Sequence, residues 1–368
     1  MLQARGRLVL LPVGLEAGGE EATHPLAHRL APALKRLAVR TTLEWALSGP
    51  RLRLGGADLP REAIERRPLP QATRHWPAPG ALPAKLAGRT ESATSLTRLF
   101  QCQLKWSLHD LARLRPARGR AIPDTHQLLG TLAHALSKEL FEAGPPPEPE
   151  VAATRASELL ESLIEQRAVP LLQPAHAVDL MDARLRLPRA MGSLARLLRE
   201  NALEVVATEL YDQAQPAEGP PLQGAIDLLA HDPAGDRVVV DLKWTRSRTY
   251  RRDELREGRA VQLAVYGVMT SPDRPRGGYF LLRDGEFLTP RGKGLAGTQV
   301  PVPYDLRETW QHVVTTWRTW TTLAERGELH ATGVDDEEQA PLEGLPLVLE
   351  PRCDWCDFAT ICRLRGSA

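Results

Sequence analysis

Apolar and polar positions recur along the chain in two periods, and the changes of period mark its elements. Behind a cap at Ser92 or Thr94, the apolar residues Leu96, Leu99, Phe100 and Leu104 recur at helical spacing, with Cys102 and Trp106 four apart. Further helical patterns run over about 124–141, 151–167, 186–202, 257–269 and 304–326. The first carries Gly130-Thr131-Leu132-Ala133-His134, and the run Gly144 to Glu150 after it is a rigid, solvated loop. Between the helical blocks the period shortens to that of strands. One strand holds Gly224-Ala225-Ile226-Asp227, the next Val238-Val239-Val240-Asp241-Leu242-Lys243, with a polar turn from His231 to Asp236 joining them. A further strand falls at Gly278–Leu282. Upstream, the pattern predicts a strand at Leu8–Val13, an amphipathic stretch from His28 to about Leu47 and a proline-rich passage around Pro60 to Pro83. Strands set among helices predict an α/β fold. A new unit opens near residue 91, dividing the chain into a small N-terminal region, 1–90, and a main domain, 91–368.

The strand pair delivers charge where a core is expected. Asp241 and Lys243 are two apart and share one face, while Leu242 points to the other. A carboxylate is costly to bury unless it is paired or bound to metal, so two acids converging beside an ammonium make a divalent-cation site with an attached proton-transfer group. Without further support the same residues read as a surface ion pair. Gln262 and Tyr266, four apart on the next helix, lie on one face.

Composition changes the picture little. With 368 residues, 42% hydrophobic and 25% charged, the chain has the make-up of a globular protein. A net charge of +1 means that nucleic-acid binding would have to come from local patches such as Arg246, Arg248, Arg251 and Arg252, beside the acidic strand. No run approaches membrane-spanning length and no secretion signal opens the chain, which predicts a cytoplasmic protein. No G-x-x-x-x-G-K-[ST] phosphate loop occurs, so motion along DNA would have to be supplied by a partner.

In the cytoplasm the four cysteines read as ligands rather than disulfide partners. Cys353, Cys356 and Cys362 form a C-x-x-C-x-x-x-x-x-C run, and Cys102 stands alone far upstream. Together they would tie two distant parts of the domain to one centre, either tetrahedral zinc or an iron-sulfur cluster. A C-x-x-C redox pair with two unrelated thiols is the alternative. Spacing does not separate zinc from iron.

The combination resembles a known family. Ser95-x-Thr97-x-Leu99-x-x-Cys102, Gly130-Thr131-Leu132-Ala133-His134, Gly224-x-Ile226-Asp227, Asp241-Leu242-Lys243, Gln262-x-x-x-Tyr266 and the C-terminal cysteine run stand in the order found in RecB-family nucleases of the PD-(D/E)xK superfamily. The cysteines look most like the iron-sulfur branch, represented by the AddB subunit of bacterial helicase-nuclease complexes and by CRISPR-adaptation exonucleases. The resemblance covers roughly residues 92 to 366. Two features depart from it: Gln103 stands where the family usually has proline, and about 90 residues replace a long helicase-like region, as a remnant of it or a partner-docking region.

The resemblance implies a restriction-endonuclease-like core, a central mixed sheet flanked by helices, closed by a helical iron-sulfur-bearing part. It implies a metal-dependent deoxyribonuclease acting on single-stranded ends with a separate helicase or ATPase, in repair, recombination or defence. His134, Asp227, Asp241 and the Leu242 carbonyl would hold Mg²⁺ or Mn²⁺, Lys243 would activate water, and Gln262 and Tyr266 would position the strand. Glu209 is an accessory acid in competition with Glu204, and Cys102, Cys353, Cys356 and Cys362 would hold a [4Fe-4S] cluster. The alternative function is a non-catalytic DNA-binding scaffold subunit.

Overall fold

The computed structural model describes residues 51–54, 57–60, 71–78, 80, 82–115, 124–245, 247–292, 294–334 and 344–364. The strand expected at Leu8–Val13 and the amphipathic stretch after it lie outside the described residues. The chain divides into two compact units, Met1–Leu69 and Pro70–Ala368. In the first, β1 (Arg51–Leu54) and β2 (Ala57–Pro60) form an antiparallel hairpin. The second unit takes in residues 71–89 as well as the expected nuclease domain.

That unit runs β3 (His75–Pro77), α1 (Leu82–Leu86), α2 (Ala93–Gln101), α3 (Gln103–Trp106), α4 (Thr125–Leu140), α5 (Pro149–Arg167) and α6 (Ala177–Glu200). Then come β4 (Glu204–Ala214), β5 (Leu222–His231), β6 (Arg237–Lys243), α7 (Arg248–Arg256), α8 (Val261–Thr270), β7 (Gly277–Leu281), β8 (Glu286–Pro290), β9 (Thr298–Val300), α9 (Leu306–Glu325) and β10 (Glu328–His330). Strands β4 to β9 form one mixed sheet in chain order. β4, β5 and β6 are antiparallel, β6 and β7 parallel through the α7–α8 crossover, β7 and β8 antiparallel, and β8 and β9 parallel. The expected central mixed sheet flanked by helices is thus the architecture of this unit.

Both faces of the sheet are covered, which is why β6 reads as a nearly unbroken apolar run. Val238, Val240 and Leu242 pack with α4, α5 and α6, whereas Val239 packs with α2, α8 and α9. Asp241 belongs to this second set of positions and is buried to 1% exposure. Separately, β3 pairs with β10, so the segment before α1 is stitched to the one that follows α9.

Three elements differ from the sequence pattern. The helix expected from 186 begins at Ala177 and carries Pro188 inside it. Leu180, Ala183, Leu187, Met191, Leu194 and Leu198 bury one continuous stripe, and that packing outweighs the hydrogen bond a proline removes. The basic segment after Lys243 forms a helix of its own, α7, capped by the Ser247 side chain and separated from α8 at Gly258 with φ +65°. Cys102 interrupts its helix: with φ −165° and ψ 110° it stops α2 and caps α3.

Candidate active site and cysteine centre

The acidic site forms where β4, β5 and β6 run side by side below α4. His134 points from the exposed face of α4 at Glu209, its Nδ1 2.7 Å from Oε1, and lies 3.7 Å from Asp227 Oδ1. One ligand atom from each of His134, Glu209 and Asp227 falls within 4.8 Å of the others. Asp227, 7% exposed, accepts a hydrogen bond from the Leu242 N–H at 2.7 Å on its Oδ2. That bond locks the strand carrying one acid to the strand carrying the other.

Glu209 is held in a left-handed conformation, φ +50°, in mid-strand. The neighbouring pairs Thr208–Leu228 and Leu210–Ile226 place it opposite Asp227. A left-handed backbone at a residue with a long side chain costs of order 1–3 kcal/mol and persists only where surroundings impose it. Here it aims the carboxylate at His134. Glu204 stands at the far end of β4, half exposed beside His231, away from this cluster.

Asp241 is the more revealing acid. The Lys243 ammonium lies 2.5 Å from its Oδ2, yet neither oxygen finds a hydrogen-bond donor in good geometry among the described residues. A buried carboxylate with unmet acceptors suits a divalent cation. Burial, then the charge of Asp241, push the Asp227 carboxyl up to about 7. Burial disfavours the charged form of His134, but the Glu209 hydrogen bond and the charges of Asp227 and Glu209 outweigh it and raise its pKa. Neutral imidazole and carboxylate oxygens are a donor set that suits Mg²⁺ or Mn²⁺, and the arrangement fits such an ion.

Tyr266 and Gln262 complete the second side. They hydrogen-bond each other on α8, and burial followed by the Asp241 charge pushes the Tyr266 phenol up to about 12, so it stays a neutral donor. The ring lies over Gly224, where a Cβ would sit 2.6 Å from Cε1. The glycine of Gly224-x-Ile226-Asp227 is needed for that close approach. Ser95 and Thr97, by contrast, serve the helix: Ser95 completes the capping box with Ser92, and Thr97 bonds back to Ala93.

An open cleft of about 590 Å³ reaches the site, with His134, Glu209, Leu242 and Lys243 on its walls. The arginine patch is arranged otherwise than expected. Arg251 pairs with Glu254 at 2.6 Å beside the rings of Tyr250 and Tyr279, and Arg252 pairs with Glu286 at 3.2 Å. Both guanidiniums are paired to carboxylates of the protein in this structure. Arg248 opens α7, and Arg246 lies outside the described residues.

All four cysteines line one small void of about 20 Å³. The Lys105 N–H lies 3.4 Å from Cys102 Sγ, and Thr332 packs against the same sulfur while its hydroxyl donates to the Gln101 carbonyl. Gly333 presses on Cys353, with a Cβ there only 2.1 Å from Sγ. Burial, then the charges of Cys102, Cys356 and Cys353, push the Cys362 thiol up to about 12. Thiolates crowded in this way require a metal to stay ionised together.

The match to known proteins falls on this body. The family model of the PD-(D/E)XK nuclease superfamily matches residues 90–363, about three quarters of the chain. The chain belongs to the PD-(D/E)XK nuclease superfamily. Nucleases of this superfamily use divalent metals, in keeping with the His134, Glu209 and Asp227 cluster. No curated protein matches the chain. Among solved structures, it is similar to the crystal structure of SSO0001, with 14% identity over 66% of this chain and 97% of that one, at a TM-score of 0.26. No helix among the described residues is long and apolar enough to cross a membrane.

Sequence reasoning gave Glu209 only an accessory place and passed over Lys138, Thr332 and Gly333. The one available signal was for Lys138, which follows His134 by one helical turn.

Proposed function

We propose that this superfamily member is a deoxyribonuclease that hydrolyses phosphodiester bonds on single-stranded ends, in concert with a separate helicase or ATPase, in DNA repair, recombination or defence. The observation that carries the nuclease reading is the convergence of His134, Glu209 and Asp227 beside an open cleft, with the buried Asp241 paired to Lys243 on the neighbouring strand and Lys243 on the cleft wall. The choice of DNA and of a motor partner is supported by the order of the RecB-like motifs and by the lack of a phosphate loop in the sequence.

Asp227, Asp241, Glu209 and His134 would hold the divalent ion, which when bound offsets phosphate charge and makes water a better nucleophile. Lys243, 17% exposed at the end of β6, reaches both the acids and the cleft, and in this reading its ammonium orients the attacking water and offsets charge developing on the phosphate. Tyr266 and Gln262 donate to non-bridging oxygens of the scissile phosphate. The backbone carbonyl of Leu242, a residue that lines the cleft, is proposed as a further ligand.

The cysteines are proposed to hold an iron-sulfur cluster rather than zinc. The reading rests on the order of Cys102 and the C-terminal C-x-x-C-x-x-x-x-x-C run, which resembles the iron-sulfur branch, and the two metals differ in the sulfur spacing they impose. A single tetrahedral zinc with bonds of about 2.3 Å would draw its sulfurs to about 3.8 Å from one another. A cluster that assigns one thiolate to each of four irons holds them wider apart. The centre would fasten the break between α2 and α3 to the C-terminal segment.

The test is cleavage of end-labelled single- and double-stranded DNA, and of RNA of the same sequence, with Mg²⁺ or Mn²⁺, by anaerobically purified protein and by Lys243→Ala. The expected result is cleavage of single-stranded DNA by the parent, lost by at least a hundredfold in a folded variant. Equal cleavage by the variant would remove the assignment, and preference for RNA would overturn the substrate.

A further inference from the structure

The cleft carries charge that the metal site does not use. Along its wall α4 presents Gln127, Thr131, His134 and Lys138, positions separated by four, three and four residues, as one polar stripe opposite the buried Leu128, Leu132 and Leu136. Arg167, the last residue of α5, reaches the same cleft. Lys138 and Arg167 are exposed, and among the described residues neither has an ion-pair or hydrogen-bond partner. On the same body Arg184, Arg251, Arg252, Arg276 and Arg283 are each paired to a carboxylate. Two free cations therefore face a cleft that Glu209 of the acidic site also lines, without closing onto it.

From these positions we infer that Lys138 and Arg167 form a backbone-holding subsite for a phosphate adjoining the scissile one, so that the cleft takes a strand rather than a mononucleotide. The inference rests on the nuclease reading of the site. Lys138 stands one turn beyond His134, a rise of about 6 Å, the order of the step between successive phosphates of an extended strand. An ammonium and a guanidinium give two attachment points of different geometry to one anionic group: a point charge and a planar fork. Neither group meets a base edge in this arrangement, so the subsite is blind to sequence and adds affinity that falls with salt. Both are positioning residues. They act on where the strand lies, and the bond-breaking groups are at the other end of the stripe.

The experiment uses the full chain with a fluorescein-labelled oligothymidine, reading anisotropy between 50 and 200 mM salt in a Lys243→Ala background, and steady-state cleavage in the parent background. The double variant Lys138→Ala, Arg167→Ala is expected to weaken binding at least tenfold and to flatten the plot of log K against log salt by about 0.7, the contribution of one phosphate on a single strand. In cleavage, KM rises with the same factor while kcat stays within about twofold. Lys138→Arg with Arg167→Lys keeps the charge and restores the salt slope. Unchanged affinity and slope in a double variant of normal melting temperature would overturn the subsite while leaving a parent that cleaves DNA as a nuclease. A fall in kcat at constant KM would also overturn it. A parent that neither binds nor cleaves oligonucleotides would overturn both readings together.

Discussion

Gly333→Ala separates a metal-held cysteine from a free one. Gly333 has an ordinary backbone conformation, so alanine brings no dihedral strain; its effect is confined to the methyl group, which would stand 2.1 Å from Cys353 Sγ. The sulfur must retreat by more than an ångström to reach van der Waals contact. A free thiol does so by rotating about χ1 to another staggered well, at a cost of about 0.5–1.5 kcal/mol. A thiolate bonded to metal at about 2.3 Å cannot swing away and keep its bond. The centre then loses a ligand, and since binding by four such groups is worth on the order of 10 kcal/mol of folding energy, losing one removes several. At about 2 °C per kcal/mol for a body of this size, the melting temperature should fall by roughly 10 °C. The assay is iron, sulfide and zinc content with visible absorption and thermal unfolding, on Gly333→Ala, Cys353→Ala and the double variant. Cys353→Ala should lose the metal by itself, and adding Gly333→Ala to it should cost almost nothing, because the atom it strikes is gone. Full metal content in Gly333→Ala, or an equal loss of stability in both backgrounds, would refute the reasoning.

Two further predictions concern the acidic site. Glu209→Gly should be more stable than Glu209→Ala by about 1 kcal/mol in urea, the reverse of the usual order in a strand, because glycine accepts the left-handed φ of +50° that alanine resists; an alanine variant of equal or greater stability would show that no strain is held there. Gly224→Ala should leave the fold and Mn²⁺ binding in place but lower kcat at least tenfold, since the new methyl group displaces the Tyr266 ring from a contact of 2.6 Å; an unchanged kcat would take Tyr266 out of the reaction.

What the sequence made legible was local. The run Val238–Lys243 announces a strand buried on both faces because β6 is covered on both, and its period of two puts Asp241 and Lys243 together without any knowledge of what lies above them. The turn from His231 to Asp236 joins β5 and β6 where the polar residues predict it. Pairing between distant segments left weaker marks. Glu209 and Glu204 sit five apart on one strand, and only the register of β4 against β5 sets Glu209 opposite Asp227 and sends Glu204 to the far end. The basic run after Lys243 left an ambiguous mark: charges at helical spacing find partners on their own helix, as in Arg251 with Glu254 and Arg256 with Asp253, so abundance of arginine alone does not locate a ligand.

Gln103 shows how a departure from a motif is explained by contacts that no motif contains. The RecB-like pattern that the sequence resembles usually has proline after the first cysteine, a residue that would begin the next helix without an N–H to satisfy. Here α3 begins at Gln103, and the side chain is fully buried. Its amide nitrogen donates to the Trp320 carbonyl at 2.7 Å and its oxygen accepts from the His330 N–H at 2.8 Å. The carbonyl belongs to α9 and the N–H to β10, so one side chain fixes the path of the chain out of the long helix and into the strand that precedes Thr332 and Gly333. Those two residues are the ones that touch Cys102 and Cys353. A proline would start α3 equally well but could not span that gap. The glutamine thus does for the cysteine centre what a ligand does not: it holds the backbone that shapes the sulfurs' surroundings, and each of its two bonds, if broken at this depth, leaves a buried polar group costing about 1–3 kcal/mol.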